Sequence, residues 1–362
     1  MPKLPGVHML KRPSVKLVIR AMLAVSLLLV LSLWLISGLY YQVQRPVQLS
    51  EGQGSLVIDI EKGSSLSKVN RQLFKAGVLP HPKLLSLFAR LNGLTAIQAG
   101  QYRIEAGESA LQMLHKFNRG EVLQYQITFP EGWSYRQWLA QLADIDQFAD
   151  ISQLNDAQIM AAAGIEQANP EGWLFPDTYT YVSSDSAIDI LARAHRRMVQ
   201  VLEQAWQQRD ENLPYQSPYE VLIMASIIEK ETGLAKERPA IAGVFVRRLQ
   251  RGMRLQTDPT VIYGLGDDYQ GNITRAHLKS LTPYNTYRIN GLPPTPIAMP
   301  SAAAIEAAVH PKPGSELYFV ARGDGGHYFS DNLEQHQKAV RQYQINQRAV
   351  DYRSAPKVQN TP

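Results

Sequence analysis

A short acidic segment at the end of an apolar run is the pattern in this chain best suited to chemistry. Glu229, Lys230 and Glu231 follow residues 221–228, which are almost all apolar. A half-buried carboxyl tends to be protonated, as a general acid requires. Residues two apart on a helix do not share a face, so Glu229 and Glu231 are not expected to pair, and Glu229 continues the apolar face. From residue types alone, a solvated helix-end glutamate stays open as the other interpretation.

A second polar group stands before another predicted helix. Gln256, Thr257 and Asp258 come immediately before Pro259. Proline fits the first turn of a helix, so this group predicts a helix start whether or not it also contacts a ligand.

Two further sets of residues allow two interpretations each. Asn285 and Tyr287 lie between proline-rich loops and suit either carbohydrate binding or plain turns. Trp133, Trp173 and Phe175 could line a groove, although buried aromatic residues more often belong to a core.

Several classes of site are not predicted. No pair among the eight histidines has the ligand spacing of a helix face and no H-E-x-x-H occurs, so we expect no catalytic metal. No G-x-S-x-G elbow, phosphate loop or dinucleotide fingerprint is present, and we expect no cofactor. The chain has no cysteine, which excludes disulfides, thiolate ligands and a cysteine nucleophile.

The elements that would position these residues can be predicted from capping and periodicity. Ser217, Pro218 and Glu220 have the pattern of a helix start with a capping box, and the apolar run after them predicts a helix inside the domain. A second helix is predicted over residues 241–249. Residues 170–179 are rich in aromatic residues, proline and glycine, and are predicted to be a surface loop of fixed shape.

The N-terminal region predicts a membrane anchor. Residues 21–41 carry no charge, and at about 1.5 Å per residue they span about one bilayer core. The alternative is a buried core helix. The net charge of +5 is matched by five basic residues and no acid in the first twenty positions, so residues 21–362 are neutral and nucleic-acid binding is not expected. These residues predict a cytoplasmic N-terminus: Lys3, Lys11, Arg12, Lys16 and Arg20.

The remaining pattern mixes short strands with helices, which predicts an α+β fold class. Residues 56–124 repeat a small strand-glycine-serine-helix unit at 60–64 and 104–109. Other helices are predicted at 133–148, 151–163, 187–208, 301–309 and 332–348, and strands of a hairpin at 317–321 and 327–330.

Five ordered motifs together resemble those of a known family. They are E-G-x-L-F-P-D-T-Y from Glu171, A-S-I-I-E-K-E-T from Ala225, G-M-R-L-Q-T-D-P-T-V-x-Y-G from Gly252, P-Y-N-T-Y from Pro283 and G-L-P-P from Gly291. The chain resembles the YceG-like family, the endolytic murein transglycosylases, from about residue 56 to residue 348. One departure is Thr295, since many relatives have glycine after the double proline.

The resemblance implies an enzyme that cleaves the β-1,4 bond between N-acetylmuramic acid and N-acetylglucosamine in nascent peptidoglycan and leaves anhydro-muramic ends. It implies Glu229 as the catalytic acid/base, with substrate contacts from Gln256, Thr257, Asp258, Asn285 and Tyr287. The implied partners are peptidoglycan strands and peptidoglycan synthases. With the anchor, it implies six segments: a cytoplasmic basic tail (1–20), a transmembrane helix (21–41), a tether (42–55), a LysM-like subdomain (56–125), a YceG-like catalytic domain (126–350) and a flexible tail (351–362).

Two other functions stay open at this point. A membrane-tethered scaffold would bind glycan and recruit synthases without cutting the strand. A hydrolase of the same bond would need a second carboxylate, and Asp258 and Glu231 are the candidates.

Overall fold

A computed structural model describes residues 15–47, 49 and 54–346. Three of the basic residues expected in the cytoplasm, Lys3, Lys11 and Arg12, lie outside the described residues. So do most of the central part of the predicted tether, the last two residues of the helix predicted at 332–348, and the predicted flexible tail at 351–362.

The chain divides into two compact units. The first runs up to Tyr125 and includes Val182–Ser184, and the second holds Gln126–Tyr181 and the chain from Asp185 onward. Each unit has helices and a few short strands, so the α+β class is confirmed.

The first unit is a small two-stranded sheet covered by helices. Strands β1 and β2 pair antiparallel, with Ser55 opposite Glu105 and Ile60 opposite Gly100. Their inner face shares a core with α2, α3 and α4. Its elements are α1 (Val15–Gln44), β1 (Ser55–Ile60), α2 (Leu66–Lys75), α3 (Pro82–Leu91), β2 (Gly100–Glu105) and α4 (Ala110–Arg119).

Helix α1 is apolar and exposed over most of its length. In the described chain it is the one helix long and apolar enough to cross a membrane, with a mean hydropathy of 2.4 in its most apolar window. It continues to Gln44, past the predicted start of the tether at residue 42. The physical reason is packing, since Val43 and Val47 are buried in the core of the first unit and Pro46 bridges Ser109.

The second unit contains the candidate site. Its elements are β3 (Tyr125–Thr128, which begins at the boundary), α5 (Tyr135–Ala143), α6 (Asp156–Ala163), β4 (Thr178–Tyr181), α7 (Ala187–Gln208), α8 (Pro218–Glu231), α9 (Arg238–Gln250), α10 (Asp258–Leu265), α11 (Arg275–Lys279), α12 (Ala302–Val309), β5 (Tyr318–Ala321), β6 (His327–Ser330) and α13 (Leu333–Val340). A π-helical turn, Arg341–Asn346, follows α13. The predicted hairpin is confirmed as the antiparallel pair β5–β6.

Helix α8 lies at the centre of this unit, as its all-round apolar pattern predicts. Residues 221–228 are all buried, and α7, α9, α10 and α12 pack around the helix. The predicted capping box is wrong. The Ser217 side chain caps no backbone N–H, and Glu220 instead accepts a hydrogen bond from the backbone of Gln216.

Three other predictions differ from the structure. Residues 170–176 are buried rather than a surface loop, because Trp173 and Phe175 join the core around α8, and residues 178–181 form strand β4. The helix predicted at 133–148 ends at Ala143 and gives way to a 3-10 turn, Asp146–Gln153. That turn also takes the start of the helix predicted at 151–163.

Candidate active site

Glu229 lies at the last turn of α8, where the buried helix leaves the core. Its side chain is only 6% exposed. One carboxylate oxygen lies 2.9 Å from Nη2 of Arg238, and the other accepts hydrogen bonds from the backbone N–H and the hydroxyl of Ser301. The buried Glu229 carboxyl is therefore held by partners on both of its oxygens. Its use as a general acid stays a prediction.

A second carboxylate shares the same arginine. Glu131 Oε2 lies 3.5 Å from Arg238 Nη2, and the Glu131 side chain is 54% exposed. Burial raises the pKa of Glu131, and the negative charge of the nearby Glu229 raises it further. The positive charge of Arg238 lowers it. We call Glu131, Glu229, Arg238 and Ser301 the Glu229 cluster. In this cluster the exposed Glu131 carboxyl and the buried Glu229 carboxyl both contact the guanidinium of Arg238.

Three segments far apart in sequence hold this cluster in place. Gly132 has a φ of +74°, and its N–H donates to the carbonyl of Met299 at 2.8 Å. The Gly132 carbonyl accepts a hydrogen bond from Nζ of Lys230 at 3.1 Å. Ser301 caps α12 with the same hydroxyl that reaches Glu229. The loop that carries Glu131 is therefore fixed against both the end of α8 and the start of α12.

Glu231 is turned to a different side of α8 and has different partners. Its carboxylate accepts a hydrogen bond from the Thr257 hydroxyl. Burial raises the pKa of Glu231 to about 7. Thr257 also donates its backbone N–H to the hydroxyl of Thr286 at 3.0 Å. The prediction that Glu229 and Glu231 do not pair on the helix is confirmed, since the two carboxyls bind different partners.

Asp258 and Tyr287 are also brought together on this side. The Tyr287 hydroxyl donates to Asp258 at 2.7 Å. Helix α10 begins at Asp258 with Pro259 in its first turn, so the predicted helix start is confirmed, although no side-chain cap forms at Thr257. We call Glu231, Thr257, Asp258, Thr286 and Tyr287 the Thr257 cluster.

Gln256 has an unusual backbone next to this cluster. Its φ of +53° lies in the left-handed region, which is uncommon for a side chain other than glycine. Its side-chain oxygen accepts a hydrogen bond from Arg248 at 3.3 Å, and Arg248 also binds the carbonyl of Leu255 at 2.8 Å. A buried arginine therefore organises the segment in which Gln256 lies.

Asn285 is almost fully buried and is occupied by the protein's own backbone. Its amide donates to the carbonyls of His277, Leu278 and Ser280, and its oxygen accepts from the N–H of Tyr287. These contacts tie the end of α11 to the Tyr287 loop. A direct contact between Asn285 and a sugar stays a prediction.

The structure thus joins the predicted substrate-binding residues to one another through hydrogen bonds among themselves and with Thr286. Among the described residues no hydrogen bond joins Gln256, Thr257, Asp258, Asn285 or Tyr287 to Glu229. The two clusters are linked through the last turn of α8, which carries Glu229 and Glu231 two residues apart.

A cavity of about 730 Å³ opens beside α5, α6 and the buried 170–176 segment. Glu171 lines it and accepts hydrogen bonds from the backbone N–H of Tyr135 and the hydroxyl of Tyr263. Burial raises the pKa of Glu171 to about 7, partly offset by these hydrogen bonds and by Lys230. The carboxyl can therefore exist in either form near neutral pH. Across the described residues, no group of three or more acidic or histidine side chains could hold a metal ion.

Sequence reasoning did not identify Glu131, Arg238 or Glu171 as site residues. Glu131 stands before a turn glycine, and Arg238 before a proline that starts a helix, and both patterns are common outside active sites. Only their proximity to Glu229 in the fold distinguishes Glu131 and Arg238 from other residues in such patterns. Trp173 and Phe175 belong to the core rather than a groove, and Trp133 packs against the second core of this unit.

The fold and the clusters define an α+β protein whose candidate active site is built from carboxyls, hydroxyls and arginine. The model of the YceG-like family matches residues 58–342, and the chain belongs to that family.

Named relatives agree with this assignment. The chain is 30% identical over 316 residues to an endolytic murein transglycosylase of Bacillus subtilis, a match that covers 82% of this chain and 87% of that protein. It is 28% identical to the endolytic murein transglycosylase of Streptococcus pneumoniae D39, over 80% of this chain but only 58% of that protein. A crystal structure of a YceG-like protein from Listeria monocytogenes matches with a TM-score of 0.50 and 29% identity, over 78% of this chain and 98% of that one.

Proposed function

We propose that this protein is a membrane-anchored endolytic peptidoglycan transglycosylase. It cleaves the β-1,4 bond between N-acetylmuramic acid and N-acetylglucosamine within nascent strands, leaves 1,6-anhydro-muramic ends and so limits strand elongation. The observation that carries the proposal is Glu229, held at the end of a buried helix by Arg238 and Ser301, in a chain of the YceG-like family.

One carboxyl is enough for this reaction. Glu229, in its protonated form, gives its proton to the glycosidic oxygen as the C–O bond breaks. The C6 hydroxyl of the muramic residue then attacks the anomeric carbon, and its proton passes to the Glu229 carboxylate. The proton count of Glu229 is restored at the end of the cycle and no water is consumed. A hydrolase instead uses a second carboxyl to activate water or form a covalent intermediate.

Arg238 and Ser301 support both halves of this cycle. Once Glu229 has given up its proton, Arg238 and the two Ser301 donors stabilise the resulting carboxylate. Ser301 also fixes the orientation of the carboxyl, because its backbone is held at the start of α12. Gln256, Thr257, Asp258, Asn285 and Tyr287 position the sugars directly or shape the wall on which the sugars lie.

The rest of the chain keeps the enzyme near its substrate. Helix α1 spans the cytoplasmic membrane with its N-terminus in the cytoplasm, because the basic residues precede the apolar run. The residues after α1 then lie on the outer side of the cytoplasmic membrane, where new glycan emerges beside peptidoglycan synthases. The first unit acts as a LysM-like subdomain that helps to hold peptidoglycan.

Product analysis tests the proposal. The purified full-length protein in detergent is given polymerised, uncrosslinked glycan, and the products are identified by mass spectrometry. We expect internal cuts with anhydro-muramic ends. Reducing ends would show a hydrolase, and uncut strands would show a glycan-binding scaffold, and either outcome would overturn the proposal.

A further inference from the structure

A stretch of the first unit contains basic residues and no acidic ones. From Lys62 to Ile104 the sequence contains seven Lys and Arg residues and no acidic residue, although residues 21–362 as a whole are neutral. Among the described residues Lys68 pairs with Glu61, whereas no ion pair involves Lys83 or Arg90. The basic residues of this stretch are Lys62, Lys68, Arg71, Lys75, Lys83, Arg90 and Arg103.

Helix α3 carries an exposed apolar stripe beside its two basic residues. Leu84, Leu87 and Leu91 lie at helical spacing on one face, and Leu87 and Leu91 are 49% and 71% exposed. Lys83 and Arg90 border this stripe on its helical surface. The opposite face of α3 is buried in the core of the unit. We call residues 83, 84, 87, 90 and 91 the α3 face.

Helix α3 packs against the end of the candidate membrane helix. The rings of Tyr40 in α1 and Phe88 in α3 are 6.4 Å apart. Leu39 packs against the core of the unit and Val43 is buried in it. Tyr40 stands at the end of the uncharged run, where interfacial aromatic residues are common. A bilayer that contains α1 therefore has its boundary at the level of α3.

We propose that the α3 face docks on the anionic lipid surface of the membrane that α1 spans. This inference rests on the proposed membrane anchorage. The leucines enter the boundary between head groups and acyl chains, while Lys83 and Arg90 reach lipid phosphates, as in other interfacial helices. A bilayer is the occupant that fits best, because α3 packs against the end of the spanning helix and its exposed face carries the charge that anionic lipids attract. Docking would hold the first unit against the membrane surface.

A single-label experiment tests the docking. The chain has no cysteine, so Leu87→Cys provides one attachment site for a nitroxide on the full-length protein. The matched control is Val57→Cys, since Val57 is exposed on β1 opposite Arg103, on the outer face of the sheet. Both proteins are reconstituted in vesicles of phosphatidylcholine, with and without phosphatidylglycerol, and the collision of each label with oxygen and with an aqueous nickel complex is measured.

We expect the label at residue 87 to favour oxygen over nickel, more strongly with phosphatidylglycerol, and the label at residue 57 to favour nickel. Lys83→Gln with Arg90→Gln should weaken docking on anionic vesicles by about fivefold for each charge removed. Flotation of the vesicles on a density gradient tests anchorage separately. If the labelled protein floats with the vesicles but residue 87 stays accessible to nickel, the docking proposal is wrong and the membrane anchorage stands. If the protein does not float, both the docking and the anchorage are wrong. Protection that appears only when glycan is added would assign the face to glycan and overturn lipid docking.

Discussion

At the scale of single residues, the central feature is a buried carboxylate with an arginine and a serine as partners. A catalytic carboxyl must be held in a fixed position, and Glu229 is held on both of its oxygens. Its side chain is 6% exposed, Arg238 lies 2.9 Å from one oxygen, and the backbone N–H of Ser301 donates to the other. The partners are therefore as important to the account as the glutamate, and each is open to substitution.

Arg238→Met should destabilise the protein strongly. The substitution leaves Glu229 buried without its cation, which costs about 3–5 kcal/mol of unfolding free energy. Adding Glu229→Gln should recover part of that loss, because the stranded charge is gone. The matched control is Arg119→Met, which breaks the exposed pair with Glu121 and should cost about 0–1 kcal/mol. Denaturant unfolding of the parent and these three variants gives the comparison, and equal losses for Arg238→Met and Arg119→Met would contradict it.

Glu231 should make stability depend on pH. Burial raises its folded pKa from 4.5 to about 7, so the folded state holds the proton more tightly than the unfolded chain. The stability that Glu231 gains from holding this proton is fully present below pH 4.5, and it is lost as the pH rises to about 7. Glu231→Gln cannot ionise and still accepts from Thr257. Its unfolding free energy relative to the parent should therefore rise by about 1.4 kcal/mol per pH unit within this window. A difference that stays constant across the window would show that Glu231 is not perturbed.

At the scale of elements, the sequence was informative where a pattern is local. The helix over residues 187–208, the buried helix α8 and the β5–β6 hairpin follow from the periodicity of their apolar residues. The 170–176 segment was predicted wrongly because proline, glycine and aromatic residues describe a fixed loop without showing whether another element covers it. Glu131, Arg238 and Ser301 meet Glu229 only through tertiary packing, which no local pattern reveals.

Gly172 gives a direct test of how closely the buried 170–176 segment packs. It has a φ of +85°, and an added Cβ would lie 2.6 Å from the ring of Pro296. Gly164 has a similar φ of +72°, but an added Cβ would meet no atom of the described residues within 4 Å. Gly164→Ala should therefore cost about 1 kcal/mol for the backbone alone, and Gly172→Ala about 1–3 kcal/mol more. Thermal unfolding should rank the two variants in this order, and equal losses would show that the loop is free to move away from Pro296.

At the scale of the whole molecule, the proposed function requires one membrane crossing that places the candidate active site outside the cytoplasm. Leu281 is 80% exposed in the second unit, so Leu281→Cys introduces one accessible thiol into a chain that has none. A membrane-impermeant maleimide should label it when added outside intact spheroplasts. Lys16→Cys, before the apolar run, should react only after the membrane is opened. Labelling in the reverse pattern would contradict the proposed orientation.

Most of the chain anchors the protein in the membrane or positions the candidate active site, but the proposed reaction depends on the carboxyl of Glu229. Full-length protein in detergent is supplied with polymerised glycan, and the rate at which anhydro-muramic ends appear is compared for the parent, Glu229→Gln and Glu203→Gln. Glu203 is an exposed glutamate on α7, so its substitution controls for the loss of one charge. We predict that Glu203→Gln retains the parent rate and that Glu229→Gln falls by about 10²–10⁴-fold while still folding. Anhydro-muramic ends formed by Glu229→Gln at the parent rate would contradict the account.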